Sequence, residues 1–160
     1  MLESKKQRSL KYKIMENKNE VLYIDRSIPF DLEEFIGHGW SIVDQDNKAL
    51  DISSILISEI ILEKIFGEKN EDKIKYLNEQ NYVELDPKVL EAFWNNQELI
   101  PEEWKKESYV FFGALVFKNC YEGEHHFVLC LYWRFNQWHW GCYDISHDFV
   151  KASPCAIMHI

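Results

Sequence analysis

Residues Ser108–Ile145 decide the fold of this chain, and they read SYVFFGALVFKNCYEGEHHFVLCLYWRFNQWHWGCYDI. The stretch holds three apolar, aromatic-rich runs, Tyr109–Lys118, His125–Arg134 and Trp138–Tyr143, and three of the chain's six tryptophans. Each run has the length of a β-strand, and the polar breaks between the runs are short enough for hairpin turns. The pattern therefore predicts an antiparallel three-stranded meander.

Alternation along the third run divides its side chains between two faces of the predicted sheet. Trp138, Trp140 and Cys142 share one face, and His139, Gly141 and Tyr143 share the other. Because glycine leaves space for a close approach, a helix could cover the Gly141 face, which would leave the tryptophan face as a candidate open surface. The preferred interpretation is that the tryptophan face is covered as well, since burying two tryptophans would stabilise the fold by several kcal/mol.

Upstream of the meander the sequence predicts a short strand at Val21–Ile24 and several short helices. Two helices begin after the predicted N-caps Asp31 and Asp86, and the second of these is followed by a proline, Pro87, at the first helical position. A third, amphipathic helix is predicted over Glu71–Asn78.

Two apolar segments complete the prediction. Asp51–Phe66 leaves almost no polar face, so a buried helix is preferred there, with one or two strands as the alternative. Ala156–Ile160 is expected to add an edge strand. The fold class is therefore α+β, with short N-terminal helices packed on one face of a C-terminal antiparallel sheet.

Length and charge restrict the classes of partner. The chain has 160 residues and a net charge of −9, and one domain over residues 21–160 is expected. Residues 1–20 carry six basic and three acidic side chains and are interpreted as a basic, flexible arm, which leaves −12 on the remainder. Such an acidic body disfavours nucleic acid. No export signal or membrane-spanning run is recognised, so we expect a cytoplasmic protein, as a monomer or weak homodimer.

The cysteines Cys120, Cys130, Cys142 and Cys155 form no C-x-x-C motif, and reduced, mostly buried thiols are expected. Weak metal candidates lie in the second and third runs: His126 and Cys130 share a strand face at even spacing, and a cross-strand His139 or Cys142 could join them. The same residues could form a Cys–His nucleophile pair oriented by Asp144. Satisfied histidines and inert thiols are the preferred interpretation, with no cofactor.

Several motifs together resemble those of a family of small uncharacterised bacterial proteins. The shared pattern is L-I-P-E-x-W-K at Leu99–Lys105 and L-Y-W-x-x-G-x-W-x-W at Leu131–Trp140, with an early F-I-G-x-G-W-S-I at Phe35–Ile42. The likeness covers about residues 28–158, but Asn136-Gln137 replaces the glycine of the tight turn. The resemblance implies a bacterial, intracellular protein. It implies no activity, because none is known for the family.

Two functions from different classes follow. The leading hypothesis is a non-enzymatic protein-binding module, inhibitor- or immunity-like in size and acidity. The aromatic side chains of the meander supply its candidate binding residues, Tyr132, Trp133, Trp138 and Trp140, because large exposed aromatics mark partner surfaces. The alternative is a small metal- or Cys/His-dependent hydrolase that uses the C-terminal hairpin.

Overall fold

A computed structural model describes residues 20–65, 70–121 and 123–160. The predicted arm, apart from Glu20, lies outside these residues. The strands within them are β1 Val21–Tyr23, β2 Trp40–Gln45, β3 Ser54–Leu56, β4 Ile60–Glu63, β5 Tyr82–Glu84, β6 Val110–Asn119, β7 Phe127–Arg134, β8 Gln137–Asp144 and β9 Cys155–His159. The α-helices within them are α1 Leu32–Ile36, α2 Asn47–Leu50, α3 Asn70–Gln80, α4 Pro87–Asn95 and α5 Asp148–Ala152.

The meander is confirmed, because β6 pairs antiparallel with β7 and β7 pairs antiparallel with β8. It belongs to a larger, mixed sheet of seven strands in the order β4-β9-β6-β7-β8, with β2 paired to β6 and β5 paired to β9. A single parallel bridge joins Phe111 of β6 to Cys155 of β9. The α+β class is therefore confirmed, with a sheet that draws strands from the whole described chain.

The predicted edge strand is wrong, because β9 lies inside the sheet. It pairs with β4 on one side and with β5 and β6 on the other. Cys155, Ala156 and Ile157 are fully buried, as expected of an interior strand with both faces covered. The helices are also not confined to the N-terminal half, since α5 lies between β8 and β9.

The preferred helix over Asp51–Phe66 is wrong as well. The segment forms β3, a turn of 3₁₀ helix at Ile57–Glu59, and β4. Its isoleucines favour extended backbone, and pairing of β4 with β9 and of β3 with β1 satisfies their peptide groups. Only some of its apolar side chains are buried, among them Ile55, Ile57 and Ile65, whereas Ile61 is 37% exposed.

The predicted N-caps are confirmed. The carboxylate of Asp31 accepts a hydrogen bond from the Glu34 N–H at 3.0 Å, and that of Asp86 accepts one from the Lys88 N–H at 3.4 Å. On α4, the side chains on one face are fully buried. One of them, Phe93, contacts Trp104, which also packs near Phe112 of β6.

The two faces of the β6–β8 meander contribute to two separate hydrophobic clusters. The larger cluster joins α4 to the side of the sheet that carries Phe112, Leu131 and Trp138. The smaller cluster joins α5 to the opposite side, which carries Phe111 and Cys130. Among the described residues, no helix is long and apolar enough to cross a membrane.

Candidate protein-binding face

A group of five aromatic side chains lies on the same side of the sheet as the smaller cluster. We call it the aromatic face, and it consists of Tyr109, Tyr132, His139, Tyr143 and Phe149. Strand pairing brings it together: Tyr132 lies opposite His139, and Val128 lies opposite Tyr143. Tyr109 directly precedes β6, and Phe149 comes from α5. Two hairpin strands and the following helix therefore assemble one surface.

The rings of this face touch one another in a connected cluster. The Tyr109 ring is central, with its centroid 5.4 Å from that of Tyr132, 5.2 Å from Tyr143 and 5.3 Å from Phe149. His139 stacks on Tyr132 with centroids 5.2 Å apart and planes 15° apart. Its Nε2 lies 3.1 Å from the Arg134 carbonyl oxygen. These contacts hold the side chains in place before any partner binds, which lowers the entropy cost of binding.

The aromatic face remains partly open to solvent. Phe149 is 38% exposed, and the other four residues are half-buried. Burial, reinforced by the neighbouring Cys130, Tyr109 and Tyr132 and by a side-chain hydrogen bond with Tyr109, raises the pKa of Tyr143. Apolar ring surface beside fixed polar tips is typical of side chains that dominate protein interfaces.

The expected helix does not occupy the space above Gly141. A Cβ on Gly141 would lie 2.7 Å from Cε2 of Tyr143, so the ring of Tyr143 itself occupies the position above the glycine. The two residues are on the same face of β8 by alternation. Gly141 thus allows Tyr143 to lie flat along the sheet as part of the aromatic face.

The hypothesis of an open tryptophan face is contradicted by the structure. Trp138 is only 6% exposed and belongs to the larger core cluster. Trp140 is half-buried against Phe35, with ring centroids 4.2 Å apart. Trp133 packs edge-on against Trp138 and lies under the Lys105 ammonium, 3.9 Å from its ring centroid. The three tryptophans therefore pack into or against the larger core cluster, on the α4 side of the sheet.

Among the four candidate binding residues, the structure therefore places Tyr132 on the aromatic face and the three tryptophans on the opposite side. Binding through any of them stays a prediction. The sequence analysis did not identify Tyr109 and Phe149, because alternation along the third run, Trp138–Tyr143, does not include them.

The four weak metal candidates are not gathered at one point. Cys130 lies opposite Gly141 and Cys142 lies opposite Leu129, so the two thiols are on different faces of the sheet. Residues 20–65, 70–121 and 123–160 contain no group of three or more His, Cys, Asp or Glu side chains arranged to hold a metal ion. The four side chains therefore do not converge on one point, although their spacing in the sequence suggested that some of them could.

The Cys–His pair with Asp144 is also not formed as proposed. Asp144 pairs with His125, rather than with His126 or His139, and also accepts a hydrogen bond from the Ser146 N–H at 2.8 Å. Burial alone would raise the pKa of Asp144, but the hydrogen bonds from Ser146 and His125 outweigh it and lower the pKa. Burial raises the pKa of Cys142 to about 12, so this thiol is a poor nucleophile at neutral pH.

Comparisons with known protein families, curated proteins and solved structures give no match. The likeness to the family of small bacterial proteins stays a proposal based on its motifs.

Proposed function

We propose that this protein is a non-enzymatic protein-binding module, inhibitor- or immunity-like, and that the aromatic face is its binding surface. The observation that supports this best is the connected, partly exposed cluster around Tyr109. Tyrosine and phenylalanine rings that are already packed lose little side-chain entropy when a partner covers them. They also expose apolar area and hydroxyl groups together, which suits a protein partner.

The charge of the chain indicates the chemistry of the partner. Residues 21–160 carry a net charge of −12, so a basic protein surface would be attracted and a phosphate backbone repelled. We propose a basic protein partner for a cytoplasmic monomer or weak homodimer. Association should accordingly weaken as salt is added.

The alternative, a metal- or Cys/His-dependent hydrolase, has weaker support. The dyad of His125 and Asp144 is one element of such a site, but its expected thiol partners have raised pKa values: burial raises them for both Cys130 and Cys142. Stoichiometric zinc in purified protein, or one thiol of unusually low pKa, would favour the enzyme class instead.

The test is affinity capture from the native host followed by binding measurements with the purified partner. Tyr132→Ala and Phe149→Ser should each weaken binding by roughly tenfold or more, as expected for interface hot spots. Phe135→Ser is the matched control, because that ring is 82% exposed on the hairpin turn and is not part of the aromatic face. Equal affinity of all three variants would refute the assignment of the face, and a captured partner that is a nucleic acid would refute the proposed function.

A further inference from the structure

The outer edge of β8 is an open and regular row of backbone hydrogen-bonding groups. β8 ends the main sheet, and within residues 20–65, 70–121 and 123–160 it pairs with β7 alone. All of its residues, Gln137–Asp144, pair with β7 in an uninterrupted register. Such an edge offers unpaired N–H and C=O groups to another strand.

The position of the hairpin turn decides which residues of β8 point outward. The residues that flank a two-residue turn, here Arg134 and Gln137, form a hydrogen-bonded pair, and such pairs recur at alternate residues. The Ile145 N–H donates to the His126 carbonyl oxygen at 2.9 Å and continues the same odd-numbered series. The backbone groups of the even-numbered residues therefore face away from β7, namely those of Trp138, Trp140, Cys142 and Asp144.

β8 also lacks the features that protect other outer strands of the sheet from pairing. β4 is only 4 residues long and ends in Glu63. β2, which among the described strands pairs with β6 alone, has a register shift between Ile42 and Asp44. Short length, charge and irregular register all discourage association of strand edges. β8 contains neither proline nor lysine, and its single charged residue, Asp144, is its last.

We propose that this edge pairs antiparallel with β8 of a second copy of the chain, as a two-fold symmetric homodimer. The distribution of charge supports a second copy as the partner. The turn end of β8 lies beside the exposed Arg134, whereas its other end carries Asp144 and is followed by the exposed Asp148. Antiparallel pairing brings each basic end toward an acidic end. The inference rests on the weak homodimer of the proposed function and uses no property of the basic partner.

One register engages every outward-facing group of the edge. It places the two-fold axis at Gly141, so that Trp140 forms a hydrogen-bonded pair with Cys142 of the second copy, and Trp138 forms one with Asp144 of that copy. The two Gly141 residues then form a close, non-hydrogen-bonded pair, in which side chains approach most nearly. Glycine brings no side chain to that crowded position.

The same register joins the aromatic faces of the two copies. His139 comes opposite Tyr143 of the second copy, on the aromatic-face side of both strands. The ring of Tyr143 lies above its own Gly141 and therefore next to the axis. A contact limited to one strand and these rings belongs to the small class of interfaces, below roughly 1,200 Å², which associate weakly. The net charge of −9 on each copy also limits the affinity.

The test combines analytical ultracentrifugation with hydrogen exchange of the full chain, from micromolar to millimolar protein concentration. We expect a monomer–dimer equilibrium. The amide hydrogens of Trp138, Trp140 and Cys142 should exchange more slowly as the dimer forms. Protection of these amides that does not depend on concentration would assign the edge to another segment of the same chain and overturn the proposal.

Two variants localise the contact. His139→Lys places a charge opposite Tyr143 of the second copy and should weaken the dimer by roughly tenfold or more. His159→Lys is the matched control, because His159 is exposed on β9, which β6 and β7 separate from β8, and it should leave association unchanged. A dimer without added protection of the β8 amides, or equal effects of the two variants, would overturn this interface and leave a weak homodimer of another kind.

A chain that stays monomeric at millimolar concentration would also overturn the inference. The protein-binding function would survive that result, because it is tested separately by capture of a partner and by variants of the aromatic face. The two failures are therefore distinguishable.

Discussion

The guanidinium group of Arg26 donates two parallel hydrogen bonds to the carboxylate of Asp86, at 2.7 Å from Nη1 and 2.8 Å from Nη2. Asp86 is 1% exposed at its side chain and also caps α4. The same guanidinium donates to the carbonyl oxygens of Ala49 and Ile52 at 2.9 and 2.6 Å. One side chain therefore joins the segment after β1, the segment after α2 and the start of α4.

Replacement of Arg26 should destabilise the protein strongly. In Arg26→Met the Asp86 carboxylate stays buried without its cation, and two carbonyl groups lose their donor. We expect the free energy of unfolding to fall by about 2–4 kcal/mol, measured by urea denaturation. Arg134→Met is the control, because Arg134 is exposed and its loss should change stability by less than about 0.5 kcal/mol. Equal effects would show that the buried pair adds nothing.

Truncation of Trp138 should lower the free energy of unfolding by as much as the loss of a core aromatic side chain usually does. Trp138→Ala leaves a cavity between β8 and the larger core cluster, so we expect a loss of about 3–5 kcal/mol in unfolding free energy. Phe135→Ala, two residues before β8 begins, removes an exposed ring and should be nearly neutral. Thermal or urea denaturation compares the two. A neutral Trp138→Ala would restore the open-face interpretation that the burial of Trp138 contradicts.

Local signals explain the parts of the fold that were predicted correctly. The meander follows from three strand-length apolar runs, and α4 follows from an aspartate directly before a proline, Asp86-Pro87, because these choices are fixed within a few residues of chain. The interior position of β9 depends instead on pairing with β4 and β5, far away in sequence. An apolar segment such as Asp51–Phe66 satisfies a buried helix and a buried strand equally well.

The candidate site shows the same limit. Alternation correctly separated Trp138 and Trp140 from His139 and Tyr143, but it carries no information on which face receives the helix. That depended on α4 packing against the tryptophan side. The contact between Arg26 and Asp86 spans 60 residues, so it leaves no local pattern.

The hairpin turn between β7 and β8 offers a stabilising substitution. Phe135 and Asn136 both have positive φ, 52° and 59°, as a two-residue type I′ turn requires. Asparagine tolerates this region and phenylalanine does not, so Phe135→Asn should raise the unfolding free energy by about 0.5–1 kcal/mol. The melting temperature measures the gain. Phe135→Ala keeps the unfavourable Cβ and should bring no such gain; stabilisation by both would point to loss of the exposed ring instead.

The four cysteines should differ sharply in reactivity. All are free thiols, and Cys120 is exposed. Burial raises the pKa of Cys142 to about 12 and also raises those of Cys130 and Cys155, so few thiolates form at neutral pH. We expect one fast thiol in native protein with a disulfide reagent, at least about tenfold faster than the rest. Cys120→Ser should abolish that phase, and a surviving fast phase would identify a reactive cysteine inside the sheet.

The buried carboxyl group of Glu84 should make the stability of the folded protein depend on pH. Several groups face it: Lys73 of α3, which forms an ion pair with it, Asp44 of β2, Asp46 at the N-cap of α2, and Cys155 of β9. Burial raises its pKa above the ordinary value of 4.5 in the folded protein. Over the window from pH 4.5 up to the raised pKa, the folded state therefore binds more protons than the unfolded state at this position.

By linkage, a folded state that holds the extra proton loses stability as the pH rises through that window. Glu84→Gln cannot titrate, so the unfolding free energy of the wild type minus that of the variant should decrease as the pH is raised from 4.5 toward neutral. Urea denaturation at several pH values measures this difference, and effects of the histidines cancel because both proteins contain them. Glu98→Gln, at an exposed glutamate, should give a difference that stays nearly constant. A difference for Glu84→Gln that increases with pH would mean that the Lys73 ammonium outweighs burial, and the carboxylate would then be a stabilising partner of the ion pair.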